Sequence, residues 1–362
     1  MSSCSATRLF SADRAIGLSC SSEHSSGGDG IVRVLVAGGA GYIGSHTCKA
    51  LAHAGHLPIA YDNLHAGHSW AVKWGPLVQG DINDPLTLAA AIREHRPDAV
   101  VNFAALAYVG ESMVEPMRYY RANVGGMITL IEVMRAHGVG RIVFSSSCAT
   151  YGVPDVLPVV EGTRQLPINT YGHTKLMGEQ ILHDACTAHG LGAIALRYFN
   201  AGGADPEGEL GEEHDPETHI IPLVLQAAHG TRREICIFGT DYDTPDGTCV
   251  RDYVHVTDLA AAHVAALSRC EAGNFQAYNL GGGQGASIGE LVDRARRLTG
   301  REIRTVAAPR RAGDPPVLVA DVSRARQALG WAPAHSAIDD IIGSAWMWMT
   351  DSRRRAMQAK AR

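Results

Sequence analysis

Two groups of residues in this chain are spaced for chemistry, one for moving a proton and one for holding a phosphate. Tyr171 and Lys175 stand four apart in Tyr171-Gly172-His173-Thr174-Lys175. On a helix they share a face, where an ammonium can lower the phenol's pKa. A tyrosine in water titrates near ~10, so a phenolate base at neutral pH needs positive charge close by. Ser147, the last of Ser145-Ser146-Ser147, can bond the same substrate hydroxyl and relay its proton. Upstream, Gly38-Gly39-Ala40-Gly41-Tyr42-Ile43-Gly44 reads G-x-x-G-x-x-G. Absent side chains let the backbone turn tightly and let a pyrophosphate reach a helix N-terminus, whose amides and dipole favour anions. Asp62 closes the next apolar run, where a carboxylate can accept from both ribose hydroxyls of an adenosine. An acid there disfavours a 2′-phosphate and selects NAD over NADP. A bare Y-x-x-x-K pair would read as an exposed helix face, and a bare glycine motif as a turn. The two together, each at the end of a strand-like run, point to redox chemistry on a nicotinamide cofactor.

The elements that must position these residues are short apolar runs. Residues 31–37 form a run closed by glycines, and similar runs recur at 57–61, 99–103, 141–144 and 192–196 with helix-length segments between most of them. Strands alternating with helices predict an α/β fold, a Rossmann-type doubly wound parallel sheet. Ligands in such a sheet lie beyond the carboxyl ends of the strands, where both chemical groups fall. After Asn200 the pattern turns irregular, with a strand-like run at 234–238 and a return to the sheet around 278–280. The expected division is a tail over 1–30, an NAD-binding domain over 31–200 and a smaller α/β substrate lobe over mainly 201–350.

A chain of 362 residues with 46% hydrophobic and 19% charged residues can bury a large core, which excludes a disordered protein. No apolar run is long enough to span a bilayer. A formal charge of −5 provides no basic field for nucleic acid, and the Arg353-Arg354-Arg355 run reads as a solvated helix end. The eight cysteines form no C-x-x-C pair, so reduced thiols and a cytoplasmic location are expected. His53, His56, His65 and His68 have no companion carboxylate or thiolate set, and no metal is expected.

Several separate motifs together carry a family resemblance from about Val34 to about Trp348. They are the glycine motif, Tyr61-Asp62-Asn63-Leu64, Gly80-Asp81-Ile82, residues 145–152 and 171–175, Arg197-Tyr198-Phe199-Asn200, residues 250–256 and Arg310-Arg311-Ala312-Gly313-Asp314. On these the chain resembles the UDP-glucose 4-epimerases of the extended short-chain dehydrogenase/reductase superfamily. Residues 148–152 and 215–219 resemble the bacterial branch associated with exopolysaccharide precursors. The resemblance implies Ser147 as the relaying hydroxyl, Tyr171 as the base and Lys175 as the ribose ligand that also activates the tyrosine. For NAD it implies Gly38, Gly41, Tyr42, Ile43 and Gly44 around the pyrophosphate, and Asp62, Asn63, Asp81 and Ile82 around the adenosine. Phe103, Ala104 and Ala105 would line the pyrophosphate and nicotinamide side, with Asn123 beside the cofactor and Tyr198 near the nicotinamide. For a UDP-sugar it implies Phe199, Asn200, Ile220, Arg251, Arg311, Asp314 and Leu318, the arginines suiting a diphosphate and Asp314 a uridine ribose. A homodimer through the helices near Ala122 and Tyr171 is implied as well, the alternative being that these helices are covered within one chain.

Two positions depart from the family pattern. Ala107 replaces a lysine that touches the cofactor in many relatives, and Leu318 is intermediate between the large and small residues that narrow or widen the sugar pocket. The implied reaction is reversible C4 epimerisation of UDP-galactose and UDP-glucose through a transient 4-keto sugar. UDP-pentoses and UDP-N-acetylhexosamines are the alternative substrates, because the C4 chemistry is identical. A 4,6-dehydratase would need an Asp-Glu pair where Cys148-Ala149 stand. A cofactor-binding regulator would be expected to lack Tyr171 or Lys175.

Overall fold

Along the central strands, apolar side chains alternate between two separate cores. Val34 and Val36, Val101, Val143, and Ile194 and Leu196 enter one core; Leu35 and Ala37, Val100, Ile142, and Ala193 and Ala195 enter the other. This period of two along strands buried on both faces is what a parallel sheet covered by helices requires. The computed structural model describes residues 30–311 and 314–351. The tail expected over 1–30, Gly30 apart, lies outside the described residues, as do Ala312, Gly313 and the Arg353-Arg354-Arg355 run.

The first half contains β1 (Arg33–Ala37), α1 (Tyr42–His53), β2 (Leu57–Asp62), β3 (Leu77–Gln79), α2 (Pro85–His95), β4 (Ala99–Asn102), α3 (Val109–Val114), α4 (Pro116–Tyr119) and α5 (Gly126–Ala136). Next come β5 (Arg141–Ser147), α6 (Thr170–His189), β6 (Gly192–Tyr198), β7 (Asn200–Gly202), α7 (Ile220–His229), β8 (Ile235–Phe238), β9 (Val250–His255) and α8 (Val256–Leu267). The remainder is β10 (Phe275–Leu280), β11 (Gly285–Ser287), α9 (Ile288–Thr299), β12 (Thr305–Ala308), β13 (Val317–Leu318), α10 (Ser323–Leu329) and α11 (Ile338–Thr350).

Seven strands form one parallel sheet in the order β3-β2-β1-β4-β5-β6-β10. The order reverses between β1 and β4, the switch point where a doubly wound sheet opens a crevice for a dinucleotide. Helices α1 and α8 cover one face through Leu51, Leu259 and Ala262. The other face is covered by α2, α5 and α6 through Leu88, Leu130 and Leu182. Strand β9 is the centre of a second sheet, parallel to β7 and β13 and antiparallel to β11. A third core lies there, with Ile221, Leu225, Tyr253, Leu291 and Ile341.

Three local differences from the sequence reading have physical reasons. Ser145, Ser146 and Ser147 continue β5 instead of turning, because β6 runs on to Tyr198 and pairs with Ser147 there. The edge strand β3 was not foreseen; it is three residues long and only half buried, too short for an alternating pattern. The helix expected near Ala122 opens with a π-helical turn over Tyr120–Gly125 before α5.

Candidate active site

At the carboxyl end of β1, Gly38 turns the chain with φ +78°, and a Cβ there would lie 2.8 Å from the Ala104 nitrogen. A Cβ on Gly44, in the first turn of α1, would lie 2.0 Å from the Gly38 carbonyl oxygen. The helix start therefore rests directly on the loop. Gly41 is the N-cap, and no side chain caps α1, so this end is open to an anion. Asp62 ends β2 and is 7% exposed. Its Oδ2 accepts from the Ala40 amide at 2.9 Å and its Oδ1 from the Leu64 amide at 2.8 Å. Burial pushes its carboxyl above the ordinary value. Asn63 Nδ2 donates to Asp81 Oδ2 at 2.9 Å, and Asp81 Oδ1 accepts from the Asn83 amide at 2.8 Å. Ile82 beside them is buried. After β4, the Phe103 and Ala104 amides both donate to the Ala37 carbonyl, at 2.8 and 3.1 Å, which fixes Phe103, Ala104 and Ala105 next to the glycine loop.

Asn123 is more committed than the sequence suggests. Its Oδ1 accepts from the Leu106 amide at 2.8 Å, while Nδ2 donates to the Leu106 carbonyl and to Thr174 Oγ1, both at 3.0 Å. It ties the loop after β4 to α6. Ala107, next in that loop, is exposed. Tyr42 donates to the Gly203 carbonyl at 2.6 Å. A bare helix start, a buried carboxylate ending β2 and a loop braced against the glycines fit an NAD dinucleotide at the switch point.

Asn169 begins α6, with Oδ1 accepting from the Gly172 amide at 2.8 Å. This cap sets Tyr171 and Lys175 in the first turns of the helix, over the ends of β5 and β6. Lys175 Nζ, buried, donates to the Ser145 carbonyl at 2.7 Å and lies 5.6 Å from the centroid of the Tyr171 ring. Ser147, also buried, accepts from the Ala149 amide at 3.2 Å. Tyr198 completes the group through a 2.5 Å hydrogen bond with Ser145 Oγ.

In the protein alone, burial governs these groups. Burial pushes the Tyr171 phenol well above its ordinary value, Tyr198 adds to the rise, and the Ser147 hydroxyl acts the other way. Burial also pushes Lys175 down to about 7 and Tyr198 up to about 12. The Lys175 ammonium is held on a backbone carbonyl, so in the protein alone the burial of charge outweighs its pull on the phenol. A cation entering this closed pocket would favour the phenolate. Cys148, next to Ser147, is held as a neutral thiol with its value pushed up to about 12 by burial.

The other expected residues gather mainly on the second sheet. Asn200 on β7 pairs in register with Tyr253, and Leu318 on β13 pairs with Arg251. Asn200 Nδ2 donates to the Asp252 carbonyl at 2.9 Å. Arg251 and Asp314, expected as separate contacts, form an ion pair with Nη2 and Oδ1 2.5 Å apart. The Arg311 carbonyl accepts from the Asp314 amide at 3.2 Å, and its guanidinium carbon lies 4.0 Å from the Phe238 ring centroid, a cation–π arrangement. Leu318 and Phe199 are 9% and 5% exposed, and Ile220 is the first residue of α7.

A buried network beneath the site was not recognised from sequence. Arg197 Nη2 meets Glu179 Oε2 at 2.6 Å, and Arg197 Nη1 donates to Tyr151 Oη at 2.9 Å. Ser146 Oγ donates to Glu179 Oε1 at 2.5 Å, and Tyr151 Oη donates to Asn279 Oδ1 at 2.7 Å. A charged residue inside an apolar strand was the available signal, since Arg197 could lie in β6 only if paired.

Comparison with known proteins agrees with this geometry. The profile described as NAD dependent epimerase/dehydratase family matches residues 34–281. The UDP-glucose 4-epimerase of Rhizobium meliloti is 51% identical over 316 residues, covering 87% of this chain and 96% of the relative. A crystal structure of UDP-glucose 4-epimerase from Brucella ovis in complex with NAD matches with a TM-score of 0.85 and 52% identity, covering 87% of this chain and 97% of that one. The Bifidobacterium longum UDP-glucose 4-epimerase in complex with NAD+ and UDP matches with a TM-score of 0.85 and 38% identity, covering 89% of this chain and 99% of that one. With a parallel sheet that reverses at β1 and β4, a glycine loop at that point and a Tyr171–Lys175 pair beside Ser147, the chain belongs to the NAD dependent epimerase/dehydratase family, among its UDP-glucose 4-epimerases.

Proposed function

We propose that this protein interconverts UDP-galactose and UDP-glucose at C4 through a transient 4-keto sugar, with NAD retained through turnover. The observation that carries the reading is Tyr171, Ser147 and Lys175 at the carboxyl ends of β5 and β6, beside the glycine-loop crevice. Residues 38–44 with Asp62, Asn63, Asp81 and Ile82 would hold the dinucleotide, and Phe103, Ala104, Ala105 and Tyr198 would line its nicotinamide end. Bound NAD supplies a reversible hydride acceptor for C4. The Tyr171 oxygen takes the proton of the sugar's 4-hydroxyl, and Ser147 bonds the same oxygen. Tyr171 returns that proton whichever face the keto sugar presents. For this to work the nucleotide must be held firmly and the sugar loosely, which suits the charged Arg251, Arg311 and Asp314 on the UDP and apolar Leu318 near the sugar.

The same reading divides the chain into an NAD-binding part over 31–200 and a mainly sugar-binding part over 201–350. It makes the enzyme a cytoplasmic homodimer; among the described residues no helix is long and apolar enough to cross a membrane. Exposed Ile128 on α5 and Met177 on α6 support pairing through those helices. A role in supplying exopolysaccharide precursors rests on the resemblance at residues 148–152 and 215–219 alone.

The test is turnover of UDP-galactose by purified protein without added NAD, followed by a coupled dehydrogenase that consumes UDP-glucose. Turnover supports both the reaction and the retained cofactor; none, even with NAD added, removes the reading. UDP-xylose and UDP-N-acetylglucosamine assayed in parallel rank what Leu318 admits. Asp314→Asn is expected to raise KM for the UDP-sugar about tenfold with little change in kcat, because a contact made equally in ground and transition states changes binding alone. Gly44→Ala forces its new methyl against the Gly38 carbonyl. Its Kd for NAD, measured by titration of NAD-depleted protein, is expected to rise at least about tenfold, a loss of roughly 1.4 kcal/mol in binding.

A further inference from the structure

Between β7 and α7 the chain reads Glu212-Glu213-His214-Asp215-Pro216-Glu217-Thr218-His219, and four of these side chains converge. One donor atom each from Glu212, His214, Glu217 and His219 lies within 4.8 Å of all the others. The Nδ1 atoms of His219 and His214 lie 2.6 and 3.3 Å from Glu212 Oε1. They lie 3.5 and 3.6 Å from Glu217 Oε1 and Oε2, respectively. Both carboxylate side chains are 6% exposed. Short as these separations are, Glu212 Oε1 and His214 Nδ1 are buried without a hydrogen-bond partner.

Buried polar atoms are normally paired, and a carboxylate oxygen removed from water without a partner is costly. Here Glu212 Oε1 and His214 Nδ1 have only ion-pair contacts with the groups around them and no well-formed hydrogen bond. A cation among them would satisfy all four. Around a tetrahedral ion with bonds of about 2.0–2.1 Å, ligand atoms stand roughly 3.3 Å apart, close to the 3.3, 3.5 and 3.6 Å separations and longer than the 2.6 Å between His219 Nδ1 and Glu212 Oε1. Two imidazole nitrogens with two carboxylate oxygens suit Zn2+, whereas Ca2+ and Mg2+ prefer all-oxygen shells of six or more ligands.

We propose that Glu212, His214, Glu217 and His219 bind one Zn2+ ion. The surroundings are those of a supported site. Glu217 Oε1 accepts from the Thr218 and His219 amides at 2.7 and 2.8 Å, which orients its other oxygen. The His214 ring packs edge-on against Tyr42 and Tyr108, at 6.3 and 6.2 Å. With four protein ligands the ion is closed to substrate and structural in role. His219 immediately precedes Ile220, where α7 starts, and His214 packs on Tyr42 at the start of α1. The ion therefore pins the 203–219 connection between the glycine loop and α7. The proposal departs from the expectation of no metal, which rests on the histidine pairs of the first hundred residues.

The test uses the full chain, freed of any histidine tag and purified without chelator, with metal content read by mass spectrometry after gel filtration. About one Zn2+ per chain is expected. Protein stripped by a chelator, with its fold confirmed by circular dichroism, is expected to take up one equivalent in competition with a chromophoric chelator. Co2+ in its place is expected to give the intense visible bands of a four-coordinate ion. Glu212→Gln and His219→Gln are each expected to weaken Zn2+ binding at least about tenfold. Stripped, folded protein that takes up no Zn2+ would overturn the proposal and leave a cluster of ion pairs. Variants that bind as tightly as the parent would also overturn it, because the ion would then lie elsewhere. None of these readings depends on epimerase turnover.

Discussion

Tyr171→Phe is expected to lower kcat with UDP-galactose by at least about a thousandfold, within the range for removal of a positioned general base, while the purified variant keeps its NAD. The substitution removes one oxygen and leaves the ring, the Asn169 cap and the Lys175 bond to the Ser145 carbonyl in place. Neither Cys148 nor Tyr198 is fitted to take over. The Cys148 thiol is pushed up to about 12 and the Tyr198 phenol to about 12, both by burial, and Tyr198 is already bonded to Ser145. Stopped-assay kcat and the NAD content of the same preparation check the two halves together. Activity within tenfold of the parent would move the base elsewhere. Loss of both activity and NAD would show a collapsed cofactor site and not a missing base. Ser147→Ala is expected to fall between, because it removes the hydrogen bond that favours the phenolate but not the phenol itself.

Glu179→Ala should show the largest loss of stability, about 3–5 kcal/mol, the cost of leaving one member of a buried ion pair without its partner. The Arg197 and Glu179 side chains are 6% and 3% exposed. Arg197 would be left with only the Tyr151 hydroxyl and the Glu161 carbonyl at 2.9 and 3.0 Å, and neither carries a compensating charge. Denaturant unfolding of parent and variant measures the difference. The double variant Glu179→Leu with Arg197→Met is expected to recover much of it, because an apolar pair needs no desolvation of charge. If Glu179→Ala costs less than ~1 kcal/mol, water reaches the guanidinium and the network does not hold β5, β6 and α6 together. The network lies directly beneath Ser147 and Tyr171, so stability and site geometry are coupled there. Ser146 is bonded to Glu179, and its neighbours Ser145 and Ser147 border the proposed chemistry.

Much of the fold was legible because its causes are local. Glycines at 38, 41 and 44 prescribe a tight turn onto a helix whatever surrounds them. Largely apolar runs at 31–37, 99–103 and 192–196 can satisfy both faces only inside a covered parallel sheet. Spacing alone also put Tyr171 and Lys175 on one helical face.

Other features depend on which segments meet. The extension of β5 through Ser147 follows from β6 continuing beside it to Tyr198, and nothing within Ser145-Ser146-Ser147 announces that. Arg251 and Asp314 are 63 positions apart and became partners when β13 paired with β9. The convergence of Glu212, His214, Glu217 and His219 required the irregular 203–219 connection to coil back on itself.

Residue types and intervals by themselves determined the parallel sheet, the dinucleotide loop and the candidate proton-transfer residues, because sterics and hydrophobic periodicity act over a few neighbouring positions. Only the tertiary structure decided how strongly burial opposes charge on those residues. Burial raised the Tyr171 phenol and lowered Lys175 to about 7, opposite to what an ammonium beside a phenol in water would suggest. The free energy of a charge depends on everything that excludes water around it, and that is assembled from strands and helices far apart in the chain.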